Sequence, residues 1–177
     1  MSRPVIIVGY DSQWPILYEE EKRRILRAIG HKVLTIEHIG STAVPGLGAK
    51  PIIDIMAGVH QAADAEECLP LLQSLGYNDV TLQPGNPEWY YCLGKGKGHQ
   101  EEHTYHLHLV KFMSEHWEKH LLFRDFLRTH PEVAQQYYEL KKELVAKHGA
   151  NREAYTEAKT SFIESVVTQV RQCTRTV

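Results

Sequence analysis

The sequence predicts an α+β fold, in which a mixed β-sheet is flanked by helices and followed by a helical C-terminal part. Residues 1–112 alternate apolar runs of strand length with segments of helical periodicity, whereas residues 113–177 show helical periodicity alone. This order of elements favours helices packed on a twisted sheet. A chain of 177 residues can bury a core without disulfides or a structural metal, so a single domain is expected over 1–177.

The chain is predicted to begin with a short apolar segment, a helix and a strand. Residues 4–8 form either an edge strand or an ordered arm. The Asp-Ser pair at 11–12 can cap a helix that begins near Trp14 and ends at Gly30. Residues 33–39 alternate between apolar and polar side chains, which indicates a strand.

Three further strands and a helix are predicted before residue 94. Residues 51–59 are almost continuously apolar, which indicates a central strand of the sheet. Residues 62–75 have helical character and end at Gly76, a residue that commonly terminates helices. Residues 77–82 and 89–93 are expected to form a pair of strands.

The last predicted strand, residues 104–110, places apolar side chains on one face and histidines on the other. Three helices then follow. Ser114 can cap the first helix, and Pro131 can begin the second. Asn151 precedes the third, whose apolar residues recur with a period of about 3.6.

The composition excludes several classes of protein. A formal net charge of −2, without a basic stripe or an aromatic stacking platform, argues against a nucleic-acid partner. Three widely spaced cysteines form no C-x-x-C pattern, which favours free thiols in a reducing cytoplasm. The N-terminal apolar run is too short for a signal peptide and no segment could span a bilayer, so we expect a cytoplasmic protein without a membrane partner.

The segment 36–55, IEHIGSTAVPGLGAKPIIDI, carries the candidate site. Gly40, Ser41 and Thr42 form a small-residue turn whose backbone can approach a ligand and whose amide and hydroxyl groups suit an anion. The turn is either a phosphate cradle or a tight connection that needs glycine for its geometry. Lys50, at the mouth of the next strand, either meets a phosphate or is a solubilising charge.

Asp54 is a lone carboxylate within an apolar strand. An ionised carboxylate there needs a cation, a lysine or backbone donors; otherwise it is a structural group tied to a loop amide. Glu37 and His38 on the preceding strand point to opposite faces, so only one of them is expected at the site. His38, which shares a face with Gly40 in a regular strand, is the predicted one.

Histidines are concentrated in the segment 99–120, which holds six of the eleven. His106 and His108 share a strand face, where they could bind one metal ion or act as a base and a phosphate donor. The alternative is a pair on a solvated face. His116 and His120 lie one helical turn apart and are predicted to be surface residues.

The stretch EHIGSTAVPGLGAKPIIDI resembles the signature of the GrpB family, whose fold is similar to that of the nucleotidyltransferase superfamily. The resemblance continues through the Trp-Pro pair, the His-Leu-His strand, the FRDFLR run and the lysine-rich C-terminal helices. In that superfamily a Gly-Ser turn precedes a strand of the form Asp-x-Asp or Asp-x-Glu, and a later strand supplies a third carboxylate. Ser41 and Asp54 match the first two elements, whereas Met56 replaces the second carboxylate and His108 stands about where the third would be.

The resemblance implies that the ligand is a nucleotide or another phosphorylated small molecule. Ser41 and the adjacent amides would hold its phosphates, and Lys50 with an arginine, Arg124, would neutralise charge on the leaving group. From the residues alone, a salt bridge with Asp125 or Glu132 is favoured for Arg124. Asp54 and His108 would be the catalytic residues. A divalent metal ion, Mn²⁺, Zn²⁺ or Mg²⁺, would be held by Asp54, His106 and His108.

Two classes of function follow from the resemblance. The first is an enzyme that transfers nucleotidyl or phosphoryl groups. The second is a degenerate, non-catalytic module of the same fold that binds a ligand or a partner, which suits the family members fused to a coenzyme A biosynthetic kinase. The absent second carboxylate favours the module, whereas the Gly-Ser turn, Lys50, Asp54 and the paired histidines favour the enzyme.

Overall fold

The computed structural model describes residues 5–84, 89–96, 103–148 and 151–174. It has the predicted α+β class, with a mixed sheet that packs against helices on both of its faces. The predicted helices and strands are confirmed within these ranges, with ends that differ by a few residues.

Five strands form the sheet of the described residues, in the order β1-β2-β5-β4-β3. They are β1 (Thr35–Ile39), β2 (Ile53–Val59), β3 (Asp79–Pro84), β4 (Trp89–Gly96) and β5 (His103–Lys111). Strands β2 and β5 run parallel, and the other neighbouring pairs are antiparallel. The apolar strand β2 lies inside the sheet, as its composition predicts.

The helices are α1 (Trp14–Ile29), α2 (Ala62–Ser74), α3 (Glu115–Thr129), α4 (Pro131–His148) and α5 (Arg152–Thr174). The predicted cap of α3 is formed, because Ser114 Oγ accepts a hydrogen bond from the Trp117 amide at 3.2 Å. At the start of α5, Asn151 Oδ1 accepts from the Ala154 amide at 3.0 Å. Among the helices of these ranges, none is long and apolar enough to cross a membrane.

The N-terminal segment is an ordered arm rather than an edge strand. Val8 makes an isolated antiparallel bridge to Ala49, with two hydrogen bonds of 2.9 Å. Val5 is buried in a small cluster with Leu144 of α4 and Tyr155 of α5. The arm therefore connects the chain before α1 to the helical C-terminal part.

The two faces of the sheet bury different partners. On one face, alternate residues of β2 pack with α1 and α2; these are Ile53, Ile55, Ala57 and Val59. On the other face, Met56 is buried with Ile39, Val110 and Trp117 of α3. Asp54 alternates with the first set, so it belongs to the face that α3 covers.

The apolar stripe of α5 packs on α3, on α4 and on the connection between β1 and β2. Val166 and Val167 are buried there with Val44 and Leu47 of that connection. Phe162, Ile163 and Val170 pack against the same cluster, as the 3.6-residue period predicts. This cluster joins the helical part to the turn that follows β1.

Candidate functional site

The turn after β1 is shaped by Gly40. Its φ of 72° lies in the left-handed region that favours glycine, and it precedes a short 3₁₀ turn, Ser41–Ala43. A Cβ atom on Gly40 would lie 2.6 Å from Asp54 Oδ2. Glycine is therefore required here both by the backbone angle and by the close approach of the turn to the carboxylate.

Asp54 pairs with a histidine of the neighbouring strand. In the parallel register of β2 and β5 it lies opposite His106, and its Oδ1 accepts a hydrogen bond from His106 Nδ1 at 3.1 Å. Burial alone would raise the pKa of Asp54, but the hydrogen bond and the charge of His106 outweigh it and hold the pKa below its usual value. Asp54 is therefore an ionised carboxylate at neutral pH.

A cavity of about 550 Å³ lies between the sheet, the turn and helices α3 to α5. It brings together seven of the predicted site residues: Gly40, Ser41, Thr42, Lys50, Asp54, His106 and His108. Two predicted residues, His38 and Arg124, are not among those that line it. The helices contribute further residues that the sequence did not indicate; these include Lys119, Tyr137, Lys141, Tyr155 and Lys159.

Lys141 of α4 is a buried amino group beside the turn. Only 2% of the residue is exposed, and its Nζ donates hydrogen bonds to Ser41 Oγ at 3.0 Å and to the Gly48 carbonyl at 2.5 Å. Burial, together with the nearby ammonium of Lys159, lowers the pKa of Lys141 to about 7. Its amine is therefore partly neutral near physiological pH.

Tyr155 of α5 holds two lysines beside the cavity. Lys50 Nζ and Lys159 Nζ lie 4.6 and 4.5 Å from the centroid of its ring, which is a cation–π arrangement. Burial and the charge of Lys50 lower the pKa of Lys159 to about 8, although Asp54 acts in the opposite direction. The lysine-rich helices were part of the sequence resemblance, but no local pattern identified which lysines face inward.

The imidazoles of α3 form a second part of the cavity wall. His116 and His120 were predicted to be surface residues, and this was wrong, because both line the cavity. Their ring centroids lie 4.2 Å apart, and each lies within 5.8 Å of His108. Their spacing of one helical turn and the concentration of histidines were the available signals.

His108 is neutral in this environment. Burial and the neighbouring His120 lower the pKa of His108 to about 4. Its Nδ1 is buried and has no hydrogen-bond partner among the described residues. His108 lies on the face of Asp54, as predicted, and its ring lines the cavity.

His38 does not reach the cavity. It lies opposite Ile55 in the register of β1 and β2, on the face that packs against α1. Its ring stacks on Tyr18 with centroids 4.6 Å apart, and its Nε2 lies 3.0 Å from Thr42 Oγ1. The expected shared face with Gly40 fails because the chain leaves the strand at that glycine with a positive φ.

Arg124 is a buried salt-bridge residue. Its guanidinium lies 2.6 Å from Glu37 and 2.7 Å from Asp125, and it also donates to the His38 carbonyl at 3.0 Å. Glu37 occupies the face opposite to His38, as the strand alternation requires. The hydrogen bonds of the Arg124 guanidinium are thus made to Glu37, Asp125 and the His38 carbonyl. The structure favours the salt-bridge interpretation over a phosphate contact.

The donor set of the cavity does not fit a pair of Mg²⁺ ions. Hard cations prefer several oxygen ligands, and Asp54 is the one carboxylate among the described residues that line the cavity. Its Oδ1 is hydrogen-bonded to His106, and its Oδ2 lies against Gly40. Over the described ranges, no three His, Cys, Asp or Glu side chains are grouped so that they could hold a metal ion. The expected set of Asp54, His106 and His108 is therefore not assembled as a metal site.

Comparison with known sequences identifies related proteins. A model of the GrpB protein family matches residues 4–169. The UPF0157 protein PA4798 of Pseudomonas aeruginosa is 36% identical over 96% of this chain and 69% of its own length. The UPF0157 protein YqkA of Bacillus subtilis is 33% identical over 92% of this chain, which spans 46% of the length of that relative. A dephospho-CoA kinase of Mycolicibacterium paratuberculosis is 25% identical over 88% of this chain and 43% of its own length.

Comparison with solved structures identifies the fold. The crystal structure of GrpB from Enterococcus faecalis has a TM-score of 0.79 and 29% identity, and the match covers 93% of this chain and 96% of that one. The Cid1 poly(U) polymerase has a TM-score of 0.55 at 9% identity, over 79% of this chain and 44% of that one. The second likeness shows a shared nucleotidyltransferase-like fold and nothing further.

Proposed function

The chain belongs to the GrpB family, and on this premise we propose that its cavity binds a nucleotide or another phosphorylated small molecule. The fold relates the chain to nucleotidyltransferases, whereas the ligand is inferred from the residues around the cavity.

The proposal is carried by the charge of the cavity wall. Four lysines line it against one carboxylate among the described residues; the lysines are Lys50, Lys119, Lys141 and Lys159. Lys141 is buried, Lys50 and Lys159 are half-buried, and Lys119 also pairs with Glu164 at 3.4 Å. A group of ammonium ions that is partly removed from water is costly unless an anion compensates it, and phosphate groups supply such charge at short range. A volume of about 550 Å³ lies within the range of small-molecule sites, about 300–1,000 Å³.

The phosphate groups would lie between the turn and the two C-terminal helices. The Ser41 hydroxyl and Lys141 meet there, and Tyr155 holds Lys50 and Lys159 nearby. An anion beside Lys159 would favour the charged form of this lysine, so that binding is accompanied by proton uptake near pH 8. Thr42 has a smaller role, because its hydroxyl already contacts His38 and the Ile52 carbonyl.

Titration calorimetry with inorganic pyrophosphate tests this proposal. We expect Lys159→Met to weaken binding about 10-fold or more, because a hydrogen bond between charged groups is worth about 1.5–3 kcal/mol. Lys142→Met is the matched control: Lys142 also lies on the helical part, but its side chain is 45% exposed and pairs with Glu139 at 2.6 Å. Equal affinities of the two variants, or no binding of pyrophosphate to the unaltered chain, would contradict the proposal.

A second candidate is a binding module without chemistry of its own. The observation that favours it is the isolation of Asp54, whose carboxylate is hydrogen-bonded to His106 where a metal-dependent transferase needs several oxygen ligands. We therefore expect Mg²⁺ alone to leave the melting temperature unchanged at millimolar concentration. Turnover of a labelled nucleoside triphosphate that requires two Mg²⁺ ions would reject this candidate, and Glu37 would be the first residue to examine as a further ligand.

A further inference from the structure

Ser41 and Lys141 form a hydroxyl–amine pair inside the cavity. Their Oγ and Nζ atoms lie 3.0 Å apart, although the residues are 100 positions apart in the chain. Lys141 Nζ also donates a hydrogen bond to the Gly48 carbonyl. This bond uses one N–H of Lys141, which both the neutral amine and the ammonium possess.

The surroundings of this pair suit a base rather than a structural ammonium. Lys141 is 2% exposed, and the described residues provide no carboxylate within salt-bridge distance of its Nζ. Lys159 of α5 faces it, Lys50 and Asp54 line the same cavity, and Tyr137 lies 4.9 Å away, measured from Nζ to the ring centroid. Burial among these groups lowers the pKa of Lys141 to about 7, which is the range in which an amine can accept a proton.

The position of Ser41 suits a nucleophile. It follows a buried strand at a sharp turn, where Gly40 has a φ of 72° and where the chain enters a 3₁₀ turn. Such a turn presents the Ser41 hydroxyl at the end of a strand. Arg128 stabilises the turn, because its Nε donates a hydrogen bond to the Ala43 carbonyl at 2.9 Å. Serine hydroxyls become nucleophilic when a positioned base lies within hydrogen-bond distance.

We propose that Ser41 is a nucleophile, that Lys141 is its general base, and that the pair forms a covalent adduct with a phosphate ester or anhydride in the cavity. The choice of phosphorus as the electrophile rests on the proposed function. Lys50 and Lys159 are placed to neutralise the negative charge of the transferring group.

The reaction needs two steps. Ser41 Oγ attacks phosphorus, so that the Oγ–P bond forms while the bond from phosphorus to the leaving oxygen breaks. Lys141 Nζ takes the hydroxyl proton and transfers it to that leaving oxygen. Water then attacks the serine-bound phosphorus, Lys141 accepts a proton from the water, and Oγ receives it as the Oγ–P bond breaks. The sum is hydrolysis of the ester or anhydride, with the serine and the amine restored.

The test uses an alkyl fluorophosphonate, a neutral phosphorus reagent that releases fluoride when a serine oxygen attacks it. The full chain is incubated with the reagent, and the adduct is located by mass spectrometry of peptides. We expect one adduct on Ser41, formed at a rate that rises with pH through about 7 and then levels, because only the neutral amine can accept the proton. Ser41→Ala should carry no adduct at this position.

The variant Lys141→Met removes the base while retaining most of the buried side-chain volume. We expect it to slow labelling of Ser41 about 100-fold or more, the lower range for a general base, whereas Lys142→Met should label at the unaltered rate. No adduct on Ser41 in the unaltered chain, or equal rates in Lys141→Met and the unaltered chain, would overturn the proposal. If Lys141→Met fails to fold, the pH profile of the unaltered chain decides, since a flat rate from about pH 6 to 9 would also overturn it.

Pyrophosphate separates this proposal from the function on which it rests. Protection of Ser41 from the reagent by pyrophosphate supports both. If calorimetry shows that pyrophosphate binds but the fluorophosphonate does not label Ser41, the proposal that Ser41 is a nucleophile is overturned and the proposed function stands. Labelling that pyrophosphate does not prevent, in a chain that does not bind pyrophosphate, supports the serine–lysine pair and counts against a phosphorylated ligand.

Discussion

At the scale of single residues, the carboxylate of Asp54 is held from two sides. One oxygen accepts the hydrogen bond from His106, and the other lies against the backbone of Gly40. The histidine lies on the adjacent strand and the glycine begins the turn. The orientation of Asp54 therefore depends on the pairing of β2 with β5 and on the conformation of the turn.

Gly40→Ala should lower the free energy of unfolding for two reasons, the positive φ at this position and the overlap of the new Cβ with Asp54. A second glycine variant separates the two contributions. Gly46→Ala is the control, because Gly46 has a similar φ of 79° but no atom within 4 Å of its added Cβ. We expect Gly46→Ala to lower the free energy of unfolding by about 1–2 kcal/mol. Gly40→Ala should lose about 1–3 kcal/mol more through overlap with Asp54. Chemical denaturation measures both, and equal losses would show that the turn can move away from the carboxylate.

At the scale of elements, the cavity is built from both halves of the chain. Strands β2 and β5 supply Asp54 and His106, whereas α4 and α5 supply Lys141 and Lys159. Helices were predicted to pack on the sheet, but the apolar stripe of α5 packs on α3, on α4 and on the connection after β1. The helix therefore supports the turn and contributes ligand-binding residues at the same time.

Removal of residues 151–177 should abolish both roles of α5. It exposes the apolar faces of α3 and α4 and deletes Tyr155 together with Lys159. We expect an aggregating product without a cooperative melting transition and without pyrophosphate binding. A soluble fragment of residues 1–150 that melts cooperatively would show that α5 is an appendage, and it would contradict the single domain expected over 1–177.

A second element-level contact connects α1 to strand β4 and to the segment before β3. Glu21 of α1 is fully buried, and its carboxylate lies 2.6 Å from Lys95 Nζ of β4 and 3.1 Å from the Tyr77 hydroxyl. Arg24 also reaches it, at 3.2 Å. The sequence shows Glu21 as one charge among many on α1, so its burial was not predictable from the local pattern.

Glu21→Gln should be strongly destabilising, because it leaves the ammonium of Lys95 beside a neutral amide in a buried site. Breaking such a pair costs about 3–5 kcal/mol. Glu20→Gln, on the exposed side of the same helix, should change the free energy of unfolding by less than about 0.5 kcal/mol. Urea denaturation of both variants measures the difference, and a small effect of Glu21→Gln would mean that water solvates Lys95.

At the scale of the whole molecule, both faces of the sheet bury neutral imidazoles. His38 lies on the face of α1, and His108 lies on the face of α3. Burial is the main cause that lowers the pKa of each to about 4. In the unfolded chain both would titrate near 6.5, so the unfolded state binds more protons between pH 4 and 6.5.

The protein should therefore lose stability as the pH falls through this window. The loss in free energy of unfolding begins below about pH 6.5 and is complete below about pH 4. His38, which is 7% exposed, contributes about 3 kcal/mol to this loss. Urea denaturation at several pH values measures it. His38→Gln should reduce the slope of unfolding free energy against pH, and an unchanged slope would show that His38 is protonated without cost.

The sequence by itself determined the helices and strands and the strand face that carries Asp54, His106 and His108. The cap at Ser114 and the periods of the apolar residues are local signals, because hydrogen bonds and side-chain directions within one element depend on near neighbours. The alternation of the strands likewise placed Asp54 opposite to Ile53 and the two strand histidines on a common face.

Only the tertiary structure decided how those elements meet. His116 and His120 face the cavity because α3 packs over β5, and Lys141 reaches Ser41 from 100 positions away. His38 was misplaced because strand alternation ends where Gly40 takes a positive φ. Contacts of this kind depend on how helices are oriented on the sheet and on which side chains are then removed from water, and neither is encoded in a local period.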